Sequence, residues 1–363
     1  RISLTPEAVA LITARGHEVI IEIEAGNGCK YSDHEYSEAG GRIVESPKEA
    51  YAADVVLKIE PPALPELEFF RPFQMVISAL QMGNLKLDYI EKLQEKKVTA
   101  MAYEFIEEKS GGMPIVRAMS EIAGSTVLSI ASEYLSSARN GKGIILGGIT
   151  GVPPTKVVLI GAGTVTEFAA RAAISLGAEI QVFDNHLYKL RRLKHSLGQQ
   201  FYTSTIDAGL LSASLKTADV VIGALRAEKG KVRHVVSEDM VCGMKPDSLI
   251  IDLSIDQGGC IATSEITTHS NPIFRKHNVI HYCVPNVASR VARTATTALS
   301  NIFTPIILRA FAEGGVEQMI FSHRWFMKGV YVYKGNLTNE IIARRLGISH
   351  KNIDLLLAVR DSL

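Results

Sequence analysis

Cysteine is scarce and dispersed. Cys29, Cys242, Cys260 and Cys283 form no CxxC pair among 363 residues, which excludes a clustered zinc site and a thioredoxin-type couple. Buried, reduced thiols are the expectation. Charge of one sign is also lacking: 39 Lys and Arg face 38 Asp and Glu, a formal net charge of +1. Such a balance leaves no basic reservoir for a nucleic acid or an anionic membrane surface. No apolar run approaches the ~20 residues of a spanning helix, and the start shows no signal-peptide pattern. A cytoplasmic protein without nucleic-acid, membrane or metal partners is therefore expected. The first residue is Arg1, so we also expect a few residues, a first strand among them, to precede it in the natural chain.

Present instead is 47% hydrophobic sequence, over a length that exceeds what one core usually supports. Two α/β domains follow. In the first third, a helix over 5–14 and strands over 17–24, 54–59, 74–80 and 98–104 alternate as in a parallel sheet with crossover helices. Pro61, Pro62 and Pro65 place an exposed loop after the second of these strands. Ser110, Gly111 and Gly112 mark a joint before a long connecting helix over 115–138. A second alternating series has strands over 156–160, 179–183, 219–223, 249–253 and 279–283, the pattern of a doubly wound sheet. A further helix spans 292–311 around Pro305, and a last one, 339–346, stops at Gly347. The C-terminal segment has too little apolar sequence for a domain and should pack back on the first.

The most specific signal lies at the first strand of the second series. Lys156–Ile160 runs into Gly161-Ala162-Gly163-Thr164-Val165 and a helix, and Asp184 ends the next strand. Gly161 permits the tight turn, and Gly163 lets backbone N–H groups at the helix start approach a pyrophosphate, where the helix dipole favours an anion. Asp184, 23 positions after Gly161, suits a ribose hydroxyl pair and repels a 2′-phosphate, so NAD is expected rather than NADP. Thr166 stands where the fingerprint has its third glycine, which bears on how closely helix and strand pack. The periodicity places Val165, Phe168, Ala169, Ala172 and Leu176 on one face of that helix.

A second signal is Ile251-Asp252-Leu253-Ser254-Ile255-Asp256-Gln257-Gly258-Gly259. It sets Asp256 just past the carboxyl end of a strand, where open parallel sheets bind ligands. A carboxylate there can hold a ribose or steer a proton, and it can equally cap the glycine turn through an Asx bond. His281 reads as a half-buried sheet residue, and His186 and His195 as solvated. Lys189, Arg191, Arg192 and Lys194 read as a solvated basic face, with Lys189 near enough to Asp184 to reach an adenosine ribose.

Taken with Val284-Pro285-Asn286, Arg293-Thr294-Ala295-Thr296-Thr297-Ala298-Leu299, Arg1-Ile2-Ser3-Leu4-Thr5-Pro6 and Met119-Ser120-Glu121-Ile122-Ala123-Gly124, these motifs cover nearly the whole chain. Together they resemble the alanine dehydrogenase and pyridine nucleotide transhydrogenase family, the alanine dehydrogenases more than the transhydrogenase subunit. The resemblance implies two Rossmann-like domains with a cleft between them: a discontinuous substrate domain, 1–114 plus 293–363, and an inserted NAD-binding domain, 115–292. It also implies NAD as cofactor, an amino acid or 2-oxo acid as substrate, and a homo-hexamer. Carried over by position, Ser120, Gly161, Gly163, Thr164, Val165, Asp184, Lys189, Leu225, Asp256, Val284 and Asn286 would line the cofactor site. Arg1 would grip the substrate carboxylate, and Asp256 matches a catalytic aspartate.

Three positions depart from the pattern. Glu60 replaces a substrate-binding lysine, leaving only Lys58 two residues earlier; Gln81 replaces an acid/base histidine; Ile206 stands where a polar cofactor contact is usual. Glutamine exchanges no proton near neutral pH, and a carboxylate at 60 repels a substrate carboxylate. Three readings follow. One is an alanine dehydrogenase-type enzyme with Lys58 swung into the vacated place. Another is a dehydrogenase for a different amino or imino acid, with Glu60 reading a cationic group. The last is a non-catalytic NAD sensor or assembly module.

Overall fold

Runs of β-branched and aromatic residues between turns form fourteen strands in the computed structural model, which describes residues 1–82, 85–109, 111–225 and 234–358. In chain order they are β1 (Ile20–Glu22), β2 (Arg42–Val44), β3 (Val55–Leu57), β4 (Met75–Ser78), β5 (Thr99–Ala102), β6 (Lys156–Ile160) and β7 (Glu179–Phe183). There follow β8 (Tyr202–Ser204), β9 (Val220–Gly223), β10 (Leu249–Asp252), β11 (Ile273–Lys276), β12 (Val279–Tyr282), β13 (Val330–Tyr333) and β14 (Asn336–Leu337). The chain divides into two units, Arg1–Ala118 with Ala292–Leu363, and Met119–Val291.

The first unit carries a five-stranded sheet in the order β14-β13-β5-β4-β3. Strands β3, β4 and β5 are parallel, as the alternating pattern predicts, while β13 and β14 add antiparallel. The C-terminal segment thus packs on the first unit, and it does so as a fully buried Val-Tyr-Val-Tyr strand paired to β5. Leu67, Val76, Leu93, Ala100, Tyr331 and Ile342 share its core. The predicted strand at 17–24 shrinks to β1 and leaves the main sheet, pairing in parallel with β2 over a small core of Val9, Ile21, Tyr31 and Tyr36. Of the predicted joint, Ser110 lies outside the described residues, and Gly111 and Gly112 have φ of +83° and +109°, which favours glycine.

The second unit is a seven-stranded sheet ordered β11-β12-β10-β9-β6-β7-β8, parallel except for the β11 edge. Strands β7 and β9 flank β6, so the chain direction across the sheet reverses at β6 and β9, the switch point at which such sheets bind ligands. The helix Thr164–Ser175 buries Thr166, Ala169, Ala170 and Ala173. Leu176, expected on that face, is 50% exposed. Small side chains line the buried face, while Val165 and Phe168 lie partly buried beside Gly124, where a Cβ would stand 2.3 Å from the Val165 carbonyl oxygen. Thr166 is wholly buried with no partner for its Oγ1 among the described residues, a cost of about 1–3 kcal/mol relative to a satisfied hydroxyl.

His281 is buried rather than half-buried. Its Nε2 lies 2.8 Å from Thr263 Oγ1, its Nδ1 3.1 Å from the Val279 oxygen, and its ring stacks on Phe274. Burial pushes its pKa down to about 4. The unfolded chain takes up this proton more readily than the folded one, so the stabilisation is complete above about pH 6.5 and is lost as pH falls toward 4, to a limit of about 3 kcal/mol. His281→Gln is expected to flatten that part of the stability curve; urea unfolding at several pH values measures it, and an unchanged acid slope rejects the assignment.

Cys29, Cys260 and Cys283 are buried free thiols, but Cys242 is exposed at the end of a short helix. No described helix is long and apolar enough to cross a membrane.

Candidate functional site

The sequence-predicted residues fall into two groups by unit. Ser120, Gly161, Gly163, Thr164, Val165, Asp184, Lys189, Leu225, Asp256, Val284 and Asn286 belong to the second unit; Arg1, Lys58, Glu60 and Gln81 belong to the first.

At the switch point, the Gly161 N–H donates to the Phe183 oxygen at 2.7 Å and the Ala224 N–H to the Ile160 oxygen at 2.8 Å, tying the turn to the ends of β7 and β9. Gly161 has φ +104°, and a Cβ there would stand 2.5 Å from the Ala224 oxygen, so only glycine fits. Gly163 caps the helix Thr164–Ser175 without a side-chain hydrogen bond, and nothing lies within 4 Å of where its Cβ would be. A twelve-residue helix thus presents its N-terminal N–H groups and positive dipole end across open space, the surroundings a pyrophosphate needs. Ser120 lies about one turn before Gly124 on the helix Pro114–Leu135.

Asp184 does more than end β7. It is 3% exposed; its Oδ2 accepts the Ala162 N–H at 2.7 Å, and its Oδ1 accepts the His186 N–H at 2.7 Å and faces His186 Nδ1 at 3.0 Å. A carboxylate offers about four acceptor sites, so one remains on Oδ2 for a ribose hydroxyl. His186, expected to be solvated, is held on Asp184, whereas His195 is exposed. The basic segment is not uniformly solvated either: Arg192 donates to the Ala162 oxygen at 3.4 Å, so the glycine turn is braced from both sides. Lys189 is partly buried at the start of its helix, with Nζ 6.0 Å from the Tyr188 ring centre. Arg191, Lys194 and His195 line a separate cavity of about 660 Å³ against β8, to which no glycine-turn residue contributes.

Leu225 and Ile206 both pack on the apolar cluster under the sheet, which accounts for an apolar residue at 206. The Ile206 N–H donates to Asn185 Oδ1 at 3.0 Å. Val284 is buried past the end of β12, and Asn286 has φ +56° with its oxygen accepting the Ser289 N–H. Asp256 sits in a 3-10 turn, Ile255–Gln257, exposed beyond the carboxyl end of β10. Desolvation by the surrounding loop and the nearby charge of Asp252 hold its pKa above the ordinary carboxylate value, while the N–H groups of Asp256 itself and Gln257 pull the other way; the Gly258 N–H, which an Asx turn would use, donates instead to the Ile255 oxygen at 3.0 Å.

In the first unit, the motif that includes Arg293 explains how Arg1 is placed. The helix Ala292–Ala312 accepts the Ile2 N–H on Thr296 Oγ1 at 3.2 Å and the Thr5 N–H on Ser300 Oγ at 3.1 Å. The Arg1 side chain is only 7% exposed, and its guanidinium lies 3.9 Å from Glu60. Gln81, in the left-handed region at φ +50°, donates its side-chain amide to Glu60. Lys58 has not swung toward this group: its Nζ is held by both oxygens of Glu66, at 2.7 and 2.5 Å. Burial pulls the Glu66 carboxyl up, but Lys58 and the Ala63 N–H outweigh it and hold it below the usual carboxylate range.

Two residues went unread in the sequence. Glu104, just past β5, accepts the Leu80 N–H at 2.8 Å behind Gln81, and its Oε2 is buried with no hydrogen-bond partner among the described residues; burial raises its pKa. Asp252, at the end of β10, is 1% exposed. Both are acids at the carboxyl ends of buried strands, the signal that singled out Asp256.

Residues 1–123 match the family described as alanine dehydrogenase/PNT, N-terminal domain, and residues 127–340 match its C-terminal domain. The alanine dehydrogenase of Mycolicibacterium smegmatis is 36% identical over 349 residues, 96% of this chain and 94% of its own. That of Lysinibacillus sphaericus is 35% identical, covering 98% and 96%. Among solved structures, an L-alanine dehydrogenase superposes with a TM-score of 0.89 at 30% identity, over 95% of this chain and 94% of its own. A transhydrogenase from Sinorhizobium meliloti shares the fold, with a TM-score of 0.78 at 24% identity over 94% and 95% of the two chains. Similarity on this scale, continuous through both units, makes the chain a member of the alanine dehydrogenase/PNT family.

Proposed function

We propose that the chain is an NAD-dependent amino acid dehydrogenase of the alanine dehydrogenase type, converting L-alanine, NAD and water to pyruvate, ammonium, NADH and a proton. The observation that carries this reading is the uncapped helix start behind Gly163, beside a ribose-reading acid already fixed to the same turn. NAD, when bound, supplies the hydride acceptor. The N–H groups at Thr164 and Val165 meet its pyrophosphate, Asp184 takes the adenosine ribose, and Lys189, Ser120, Leu225, Val284 and Asn286 complete the lining. A phosphate at the ribose 2′ position would meet the Asp184 charge, which favours NAD over NADP. Arg1 binds the substrate carboxylate, and Asp256, in the turn just past the carboxyl end of β10, is the acid that exchanges a proton with the substrate. Family membership further points to a homo-hexamer located in the cytoplasm.

Steady-state NADH formation from L-alanine at alkaline pH is the direct test. Turnover above background supports the assignment, and none at saturating NAD rejects L-alanine as substrate. A second reading, a different amino or imino acid, is favoured by the Glu60 contacts. Because Glu60 pairs with Arg1 and accepts from Gln81, the guanidinium is partly neutralised for a simple carboxylate, and a negative charge is offered to a cationic group. A screen of amino acids carrying a second amine separates the two readings.

A further inference from the structure

Past the end of β10 the chain makes an eight-residue excursion from Asp252 to Cys260 and returns against the same side chain. The Asp252 Oδ1 accepts the Ser254 N–H at 3.0 Å; its Oδ2 accepts the Cys260 N–H at 2.9 Å and the Ser264 hydroxyl at 2.9 Å. One buried carboxylate therefore ties the start, the end and the exit of the segment that carries Asp256. Two glycines make room for it. A Cβ on Gly223, at the end of β9, would stand 3.2 Å from Oδ1 and 2.5 Å from Cys260 Sγ; one on Gly259, at φ +74°, would stand 2.8 Å from Oδ2.

A buried acid held by two N–H groups, a hydroxyl and, at 3.8 Å, the Cys260 thiol, and flanked by glycines on two sides, is costly to build for loop closure alone, since a neutral side chain can tie a loop without the desolvation penalty of a carboxylate. We propose that Asp252 is the positioning residue of this site, fixing the loop that presents Asp256. The proposal rests on the role given to Asp256 above and specifies how that role is sustained.

The groups facing Asp252 among the described residues agree with this. Burial pushes the Cys260 thiol well up and the Cys283 thiol up to about 11, each reinforced by the Asp252 charge, so both stay neutral near neutral pH. His234 reaches the same loop from outside, with Nε2 3.4 Å from the Gly258 oxygen. Asp256 is the remaining acid. Burial raises Asp252 as well, while Ser264 and the Ser254 and Cys260 N–H groups oppose that rise and favour its ionised form.

The test is the titration of the Asp256 carboxyl in the full chain, read by carbon-13 chemical shift after aspartate labelling and assigned with Asp256→Asn. Asp252→Asn is expected to move the Asp256 midpoint to lower pH, because the loop that shields its carboxyl loses its charged anchor at Ser254, Cys260 and Ser264. Ser264→Ala keeps the carboxylate but removes one donor, so it should move the midpoint in the same direction by less. It also decides the matter if Asp252→Asn does not fold. An Asp256 midpoint unchanged in the folded variants overturns the proposal, whatever happens to thermal stability. Should the wild-type chain form no NADH, the functional reading fails while this titration remains readable, so the two failures are distinguishable.

Discussion

The double variant Glu60→Lys, Gln81→His is expected to raise kcat/KM for L-alanine by ~10²–10⁴-fold, the range a positioned acid/base group supplies. Glu60 and Gln81 are joined through the Gln81 amide, and Glu60 also pairs with Arg1, so the two substitutions form one unit. Replacing Glu60 alone removes one carboxylate from beside the Arg1 guanidinium but supplies no proton carrier; replacing Gln81 alone places an imidazole against a carboxylate that raises its pKa and spends it on an ion pair. The single variants should therefore gain much less than the pair, a non-additivity that a double-mutant cycle measures directly. Activity on a second-amine substrate, if the screen finds one, should fall in the same variant. A double variant no faster than wild type on L-alanine would mean that these two positions do not account for the activity of the first unit.

The second large effect is expected at Asp184. Asp184→Ala removes the acceptor for the Ala162 and His186 N–H groups at once, and with them the ribose contact proposed for Asp184. Two backbone donors lose a charged partner, one of them fully buried, a loss of about 3 kcal/mol in unfolding free energy. NAD affinity should drop at least ~100-fold, since each 1.4 kcal/mol is tenfold and both a direct contact and the shape of the turn are lost. Asp184→Asn keeps one acceptor and should retain part of the stability. Calorimetric titration with NAD, set beside thermal unfolding, checks both; NAD affinity within threefold of wild type in Asp184→Ala would exclude Asp184 from the nucleotide site.

Much of this was legible in the chain as written, for a local reason. The β6 turn, the helix after it and Asp184 lie within about thirty residues, and their meaning follows from glycine φ freedom, helix dipoles and strand periodicity, which act over short separations. The parallel order of β3, β4 and β5 could be read in the same way. Less could be read where partners are distant. The Val-Tyr-Val-Tyr run of β13 is a strand by composition, but its antiparallel place beside β5 depends on more than two hundred residues of intervening chain. The apolar face that periodicity gives the helix Thr164–Ser175 only partly coincides with its buried one, because periodicity cannot say which of two packed faces meets a sheet and which meets a second helix across Gly124.

By itself, the sequence determined the alternating α/β class, the dinucleotide turn, the family motifs, and Glu60 and Gln81 at positions where the family resemblance implies a lysine and a histidine. Only the tertiary structure decided what those residues touch: Lys58 spent on Glu66, Glu60 shared between Arg1 and Gln81, Asp184 turned into the glycine turn, and Asp252 closing the loop that bears Asp256. Residue identity sets which charges and donors are available. Which of them meet depends on side-chain direction and on packing between elements far apart in the chain, and at buried carboxylates that choice outweighs local preference because an unmet partner there costs more than any propensity supplies.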